Sequence, residues 1–284
     1  MKSLFTPILI LVATLLFIAS SYADSLLWTG LGGNQNWSTG GNWTNATAAA
    51  SGTPPTAADA VSFFDSAALS PTVDTGFAGT IASLRFGSTN NDYSTTIDTG
   101  KTLIITGASG LRVGTPGDTA TAVSRTATFT GAGAGLTLSN TLAGLVLNQG
   151  TATAANGSRA TLDLQNLDTF TATMSGIGIG TTHYPNAVAQ RLAGVLYLAR
   201  TNLLTLNYSQ PLSIYLTNAS ATNGLEISHH PGNPPVTLSF LYLGQTNAIF
   251  VDSIGVGRTK ASTTMANTAA LRPKNSATTS GTLP

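Results

Sequence analysis

The chain has 284 residues, of which only 8% are charged, with 12 Lys and Arg against 11 Asp and Glu. An average soluble domain carries about 25% charged residues, so a soluble helical protein with Glu- and Lys-rich faces is a poor match. A net charge near zero gives no electrostatic basis for nucleic-acid binding, and the lack of cysteine excludes disulfides, thiol nucleophiles and cysteine zinc sites. With 42% apolar residues, the composition predicts an ordered, β-rich protein.

The first residues have the pattern of an export signal. Lys2 precedes an apolar run over residues 8–18, and Ser21-Tyr22-Ala23 places small residues at the positions that a signal peptidase recognises. The run is shorter than the roughly 20 residues of a spanning helix, which favours a cleaved signal over a membrane anchor. We predict a signal peptide over residues 1–23, cleavage before Asp24, and an exported chain, extracellular or at the cell surface, with no membrane span.

The segment after the signal, residues 24–75, contains all three tryptophans of the chain, Trp28, Trp37 and Trp43, beside Gly and Asn residues. We predict that this segment caps one end of the fold. Its tight turns would place the indole rings over the apolar surface and unpaired strand edges at the end of a stack of strands. The alternative is that the three rings form an aromatic platform for sugars, since indole faces bind the CH groups of carbohydrates.

From residue 76 onward, short apolar runs alternate with turn-forming residues. The runs space Leu, Ile, Val and Phe with polar residues, as strands with one buried face do; they cover residues 81–86, 103–105, 136–138, 145–147, 162–164, 196–198, 212–216, 236–243 and 249–251. Clusters of Gly, Asn, Asp, Pro and Ser separate them, for example at residues 88–92 and 131–135. Helical periodicity is almost absent. The best helix candidate, residues 183–198, contains Pro185 and fits a loop that leads into a strand.

Internal repeats indicate how these strands are arranged. Residues 196–202 (LYLARTN) recur as residues 241–247 (LYLGQTN). A shorter pattern has a small residue, two aliphatic residues one apart and then Gly, and it occurs at residues 109–114, 175–180 and 253–257. Imperfect repeats of strand and turn are typical of a parallel β-solenoid, in which coils stack and equivalent positions form ladders.

We therefore predict an all-β fold in three parts. The Trp-rich cap of residues 24–75 is followed by a parallel β-solenoid over residues 76–270 and by a disordered or truncated tail over residues 271–284. Outward ladders of Thr and Asn fit this architecture, because they hydrogen-bond between coils without charge repulsion. The spacing of the repeats is irregular, so a β-sandwich or jelly roll remains the alternative.

The N-terminal pattern also resembles a known family. The tryptophans, with Asn36 and Asn42 before two of them, Pro55, and residues 59–63 (DAVSF) resemble the opening of exported proteins of the autotransporter-associated β-strand repeat type, which are common in Verrucomicrobia and Planctomycetes. Residues 241–257 resemble a coil type of the same proteins. The resemblance implies a right-handed parallel β-helix on or outside the cell surface, usually of unassigned function. Family members usually continue with more coils and a sorting or barrel segment.

The sequence offers little for metal or cofactor binding. Its one local set of nitrogen and oxygen donors is His229 and His230 with Glu226. Adjacent residues on a strand point to opposite faces, so the two histidines are poorly placed to bind one ion. We predict no metal site and no cofactor.

The acidic residues are the remaining candidates for catalysis. A polysaccharide lyase or glycosidase on a β-helix needs paired carboxylates, or acidic calcium ligands with a base. The candidates are Asp163 and Asp168, with Arg159 and Arg191 in neighbouring turns and Asp252 farther on. Because the acidic residues are scattered singly, without a cluster, we predict no catalytic residues.

Two functions are compatible with these patterns. The favoured one is a non-catalytic exported β-solenoid that acts as a cell-surface or extracellular structural or adhesion-like module. The alternative is a carbohydrate-active enzyme or carbohydrate-binding protein on the same fold, similar to a polysaccharide lyase. Polysaccharide or other cell-surface material is then the expected partner, with Trp28, Trp37 and Trp43 as candidate contacts, and nucleic acid is not expected.

Overall fold

A computed structural model describes residues 23–46, 50–115, 121–149, 158–180, 193–206, 225–227, 239–251, 254–256 and 269–273. The described residues form strands and turns, with one turn of 3-10 helix at Gly40–Asn42. This confirms the prediction of an all-β protein. Within these ranges no helix is long and apolar enough to cross a membrane. Several sequence-based predictions fall outside the described residues: the signal peptide up to residue 22, the residues Arg191, His229, His230 and Asp252, and the tail from residue 274.

The strands are short, except for two of 16 residues each. Their bounds are β1 Ser25–Trp28, β2 Trp43–Asn45, β3 Ala50–Ser51, β4 Ala60–Phe63, β5 Thr72–Val73, β6 Thr80–Ile81, β7 Ser83–Phe86, β8 Tyr93–Ile97, β9 Thr102–Ile105, β10 Leu111–Val113, β11 Ser124–Ser139, β12 Gly144–Leu147, β13 Arg159–Met174, β14 Gly176–Ile179, β15 Ala193–Tyr197, β16 Thr201–Leu206, β17 Leu225–Ile227, β18 Ser239–Leu243, β19 Thr246–Val251, β20 Ile254–Val256 and β21 Ala269–Pro273.

The strands form two sheets, in which every pair is parallel except β1–β2 and β2–β3. Sheet A has the order β3-β2-β1-β4-β7-β10-β12-β14-β17-β20. Sheet B has two arms that share the long strands β11 and β13. The first arm is β5-β8-β11-β13-β15-β18-β21, and the second is β6-β9-β11-β13-β16-β19. The chain passes from sheet A to the first arm, then to the second arm, and back to sheet A. Within the described residues neither sheet closes on itself.

The register of sheet A aligns apolar side chains from strand to strand. One ladder consists of Val61, Leu84, Leu111, Leu145 and Ile177. A second ladder, two residues farther along each strand, consists of Phe63, Phe86, Val113, Leu147 and Ile179. All of these side chains are buried and belong to one apolar cluster, which also contains the inward side chains of both arms of sheet B. Removal of this surface from water is the main favourable contribution to the stability of the fold.

The longer sequence repeat occupies equivalent positions in neighbouring strands. Residues 196–202 pair with residues 241–247 position by position, through β15–β18 and β16–β19. Asn202 is buried; its Nδ2 donates to the carbonyl oxygen of Ala199 at 2.8 Å and to Oδ1 of Asn247 at 2.9 Å. The repeated Asn therefore closes the turns that lead into β16 and β19 and links these two turns to each other.

The Gly that ends two copies of the shorter repeat has a steric cause. Gly114 and Gly180 have φ values of +113° and +62°, in the left-handed region that favours glycine. A Cβ atom on Gly114 would lie 1.7 Å from the carbonyl oxygen of Asn148. These glycines let the chain leave sheet A while the turns stack closely.

Two local expectations differ from the structure. Residues 81–86, expected as one run, are divided between the two sheets, because Ile81 ends β6 and the next strand, β7, belongs to sheet A. Residues 131–135, expected as a turn, lie inside β11, where its pairing changes from β8 to β9. The glycines there allow one continuous strand to bend from the first arm to the second.

The segment boundaries can be compared with the pairing. The regular parallel pairing already begins at β4 and β5, within residues 24–75. At the other end, β21 pairs with β18 and includes the first residues of the expected tail.

The inward ladder predicts that truncation of Leu111, in the middle of sheet A, destabilises the protein much more than truncation of an outward leucine. Leu111→Ala should lower the free energy of unfolding by about 2–5 kcal/mol, because it removes buried apolar surface and leaves a cavity. The matched control is Leu203→Ala, the same substitution at an outward leucine that is 47% exposed; it should change stability by less than about 1 kcal/mol. Urea unfolding followed by circular dichroism measures both, and equal losses would contradict the inward assignment of Leu111.

Candidate functional surfaces

The three tryptophans proposed as sugar contacts lie inside the protein. Trp28, Trp37 and Trp43 are 1%, 0% and 1% exposed. Their rings pack on one another and on Phe63, with centroid separations of 4.9 Å for Trp28–Trp43 and 5.3 Å for Trp37–Trp43. A sugar would reach these rings only if the segment opened. The three rings are part of the buried apolar cluster, and no ring face of the three is available to a ligand in this structure.

Asn42 organises the turns that hold the tryptophans in place. Its side chain is fully buried, accepts a hydrogen bond from the Gly32 amide at 2.7 Å, and donates to the carbonyl oxygen of Asn36 at 2.8 Å. The Trp43 indole then donates to the carbonyl oxygen of Trp37 at 2.9 Å. The Asn and Gly residues beside the tryptophans are thus needed for the turns rather than for a ligand.

Asp74 fastens the same segment to the first arm of sheet B. Its carboxylate accepts hydrogen bonds from the Ser38 amide at 2.9 Å and from the Ser38 hydroxyl at 2.6 Å. Burial raises the pKa of Asp74, but the hydrogen bonds from Ser38 and Gly76 outweigh it, so the pKa lies below the ordinary value of an aspartate. This carboxylate stays ionised and structural.

The acidic residues considered for catalysis are engaged in separate local contacts. Asp163 accepts hydrogen bonds from the backbone amide and the side-chain amide of Gln165, at 2.9 and 2.8 Å. Asp168 accepts from the Gly133 amide and forms an ion pair with Arg200 at 2.7 Å. Each carboxylate therefore has a structural partner of its own, and the structure does not bring the two together as an opposed pair with a shared substrate position.

The histidine and glutamate set is described only in part. Glu226 lies in β17, where its backbone pairs with Gly178 and Gly255, and the two histidines lie outside the described residues. In the part of the chain that the structure describes, no group of three or more His, Cys, Asp or Glu residues could hold a metal ion.

The outer side of the second arm carries a regular array of hydroxyl groups, which we call the threonine face. Its threonines occupy outward positions on β11, β13, β16 and β19 and are Thr137, Thr169, Thr171, Thr173, Thr201, Thr205 and Thr246. The same rows also contain the apolar residues Leu203, Ala248 and Phe250, and Leu203 and Phe250 are 47% and 60% exposed. Neighbouring strands place equivalent residues about 4.8 Å apart, so the array is periodic. Thr169, Thr171 and Thr201 are among its exposed members. Such a face offers many weak hydrogen bonds and methyl contacts to a large partner.

The outer side of the first arm carries an aromatic pair, the tyrosine stack. Tyr197 and Tyr242 are in register on β15 and β18, and their rings are parallel to within 7° at a centroid distance of 4.5 Å. Asp163 is in register with Tyr197 on the neighbouring strand β13. Burial, Tyr242 and Asp163 raise the pKa of Tyr197, against a smaller opposing effect of Arg159. The phenol therefore remains a hydroxyl donor at neutral pH, and it is poorly suited to act as a general base.

The outer side of sheet A carries two adjacent arginines, which the sequence did not reveal as a pair. Arg85 and Arg112 are in register on β7 and β10, and the guanidinium of Arg85 lies 5.1 Å from the ring centroid of Phe64. Burial and the charge of Arg112 lower the pKa of Arg85. In the sequence, each arginine lies between two apolar residues that point inward. The two arginines become neighbours only through the register of β7 and β10. Two adjacent guanidinium groups are suited to carboxylate or sulfate oxygens.

Asp65 forms the densest polar network among the described turns. It accepts hydrogen bonds from the Ser88 hydroxyl, from the amide and hydroxyl of Thr89 at 3.0 Å each, and from Asn90. Burial raises the pKa of Asp65, but these hydrogen bonds outweigh it and lower the pKa to about 2. The network holds the turn of residues 88–92, which follows β7, against the segment that follows β4.

Comparison with known proteins gives no assignment. Neither a protein-family model, nor a curated protein, nor a solved structure matches the chain. The chain's own surfaces that could bind a ligand or partner are the threonine face, the tyrosine stack and the arginine pair.

The lowered pKa of Asp65 predicts a specific pH dependence. The ordinary pKa of Asp is 3.8, so the stabilisation by ionised Asp65 should be complete above about pH 4 and should be lost as the pH falls towards 2. Asp65→Asn should lower stability at pH 7 and should weaken the fall in stability between pH 4 and pH 2. Urea midpoints at pH 7, 4 and 3 measure this. Ala67→Asn, an exposed control in the same loop, should keep the wild-type pH dependence; an unchanged acid profile in Asp65→Asn would contradict the assignment.

Proposed function

We propose that the protein is a non-catalytic exported β-solenoid, a right-handed parallel β-helix, that acts as an extracellular or cell-surface structural or adhesion-like module. Three observations support the solenoid. The chain visits sheet A and the two arms of sheet B in a repeating order, the neighbouring strands are parallel, and both sequence repeats keep their register. Right-handed connections are the rule for parallel strands.

The threonine face is the observation that carries the adhesive role. It extends over consecutive strands, its positions repeat in register, and it carries no charged residue. A surface of this kind suits contacts with extended material, since a regular spacing of weak contacts sums over a large area. The carboxylates at Asp65, Asp74, Asp163 and Asp168 are occupied by structural hydrogen bonds, which agrees with a role in binding rather than in hydrolysis. The expected partner is polysaccharide or other cell-surface material.

The adhesive role can be tested with coated beads. Fluorescent beads that carry the chain starting at Asp24 should be retained on bacterial cells or on purified cell-wall polysaccharide more strongly than beads coated with albumin. The triple variant Thr169→Lys, Thr171→Lys and Thr201→Lys should reduce retention at least about fivefold, because repeated like charges on adjacent strands disrupt the neutral face.

A matched control separates the effect of the face from that of added charge. Thr53→Lys, Ala57→Lys and Ser70→Lys place three lysines on exposed positions elsewhere in the chain and should leave retention unchanged. Circular dichroism of both triple variants is the control for correct folding. Equal retention of wild-type and albumin beads would overturn the adhesive role. Release of unsaturated products or new reducing ends from a polysaccharide panel would overturn the non-catalytic assignment.

A second candidate function, carbohydrate binding, rests on the tyrosine stack. Two phenolic hydroxyls beside the carboxylate of Asp163 and the amide of Gln165 form a short row of hydrogen-bonding groups on an aromatic base. Neutral sugars are recognised by this combination of apolar ring surface and planar polar side chains.

Affinity electrophoresis in gels that contain neutral or acidic polysaccharides tests this candidate. The double variant Tyr197→Ala and Tyr242→Ala should weaken the affinity about tenfold, which corresponds to about 1.4 kcal/mol. The control is Leu142→Ala, which removes an apolar side chain that is 48% exposed in the turn between β11 and β12. Equal retardation of the wild type and the double variant in every gel would contradict a role of the stack.

A further inference from the structure

We propose that cleavage between Ala23 and Asp24 produces an α-ammonium group that binds the buried carboxylate of Asp59 and completes the fold. This inference rests on the proposed export, because the enzyme that makes the cut is a signal peptidase. The cut is a hydrolysis: the C–N bond breaks, the hydroxyl of water joins the carbonyl carbon of Ala23, and a hydrogen joins the nitrogen of Asp24. At neutral pH the products are a carboxylate and an ammonium.

The backbone of Asp24 is held against Asp59 and Ala60 from both sides. Its nitrogen lies 2.9 Å from Oδ1 of Asp59, and its carbonyl oxygen accepts a hydrogen bond from the Ala60 amide at 2.9 Å. The next residue, Ser25, is in register with Ala60 at the start of the parallel β1–β4 pair. The nitrogen that cleavage would charge is therefore fixed at hydrogen-bonding distance from a carboxylate by the strand pairing itself.

The carboxylate of Asp59 is buried and accepts hydrogen bonds from neutral donors, so it is suited to bind a positively charged group. It is only 4% exposed, and its other oxygen accepts hydrogen bonds from the amide and hydroxyl of Thr56, at 2.7 and 2.8 Å. All three donors in the uncut chain are neutral. Across the described ranges, the one ion pair is that of Arg200 with Asp168. A buried carboxylate without a positive partner is unfavourable, and an ammonium at the position of the amide would replace a neutral hydrogen bond with a charge-assisted one.

The cleavage position is also consistent with access by a protease. Ala23 is exposed, whereas Leu26 is already buried in the apolar cluster. The scissile bond therefore stands just outside the first strand. A cut one or two residues farther into the chain would remove the residue that contacts Asp59, so the position of the cut and the position of the carboxylate match.

The test compares chains that differ only at the N-terminus, each extending to Pro284. One starts at Asp24 with a free amine, one starts at Asp24 with an acetylated amine, and one starts at Ser21 and so retains three residues of the signal. The free-amine form should melt at least about 3 °C above the other two, which should agree with each other. Equal melting temperatures for all three would overturn the ion pair.

The substitution Asp59→Asn identifies the partner of the ammonium. In this background the advantage of the free-amine form should disappear; if the advantage persists, Asp59 is not the partner and the proposal is wrong. A second readout needs no variant: acylation of the α-amine, followed by mass spectrometry, should be at least about tenfold slower in the folded protein than in urea. An equal rate in both conditions would also overturn the proposal.

Export is tested separately, so the two failures can be distinguished. The full chain is expressed in a bacterial host and the mature N-terminus is sequenced from the exported fraction. An N-terminus at Asp24 supports the proposal. Export with a different N-terminus overturns the cleavage position while the proposed export stands. No export overturns the proposed location, and the melting comparison, which uses chains prepared in vitro, still decides whether an amine at residue 24 binds Asp59.

Discussion

The register of the parallel strands is the constraint on which the rest of the molecule depends. Each side chain lies about 4.8 Å from its equivalents on the neighbouring strands, so a residue that suits one position must also suit its neighbours. The ladder from Val61 through Leu111 to Ile177 shows the favourable case, in which aliphatic residues bury one another from β4 to β14. The same constraint accounts for the sequence repeats, because a turn that ends in Asn202 stacks on a turn that ends in Asn247.

Register also explains why the chain contains so few charged residues. Like charges directly opposite each other on neighbouring strands destabilise a sheet, whereas hydroxyl and amide side chains can stack on their own kind. The threonine face follows this rule over several strands. The arginine pair breaks it, and burial together with the neighbouring charge of Arg112 lowers the pKa of Arg85. Two adjacent guanidinium groups are an exception in a chain with few charged residues, and their chemistry is suited to oxygen atoms of an anionic group.

The sequence predicted the features that depend on local pattern. Alternation located strands such as β9, β12 and β13, and the repeats correctly matched positions that prove to be paired, as in Tyr197 with Tyr242. It did not reveal features that depend on pairing between distant segments. The tryptophans suggested either a cap or a sugar platform, and their burial against Phe63 could not be read from the sequence. β8 has polar Thr95 at an inward position, so its alternation was too weak to be recognised.

The end of a stack of strands poses a different physical problem from its sides. The sides have all their backbone groups paired and need only a compatible register, whereas an end exposes apolar side chains and unpaired backbone. Here β1, β2 and β3 continue sheet A beyond β4, with β2 antiparallel to both β1 and β3, and the indole rings pack on Phe63. The tryptophans at this end are therefore buried and contribute to the stability of the fold. The surfaces that remain open to ligands are the outer sides of the two sheets. By the same argument the contact of Asp24 with Asp59 fixes the first strand of the cap, so a change of charge at that nitrogen acts on the part of the fold that closes the core.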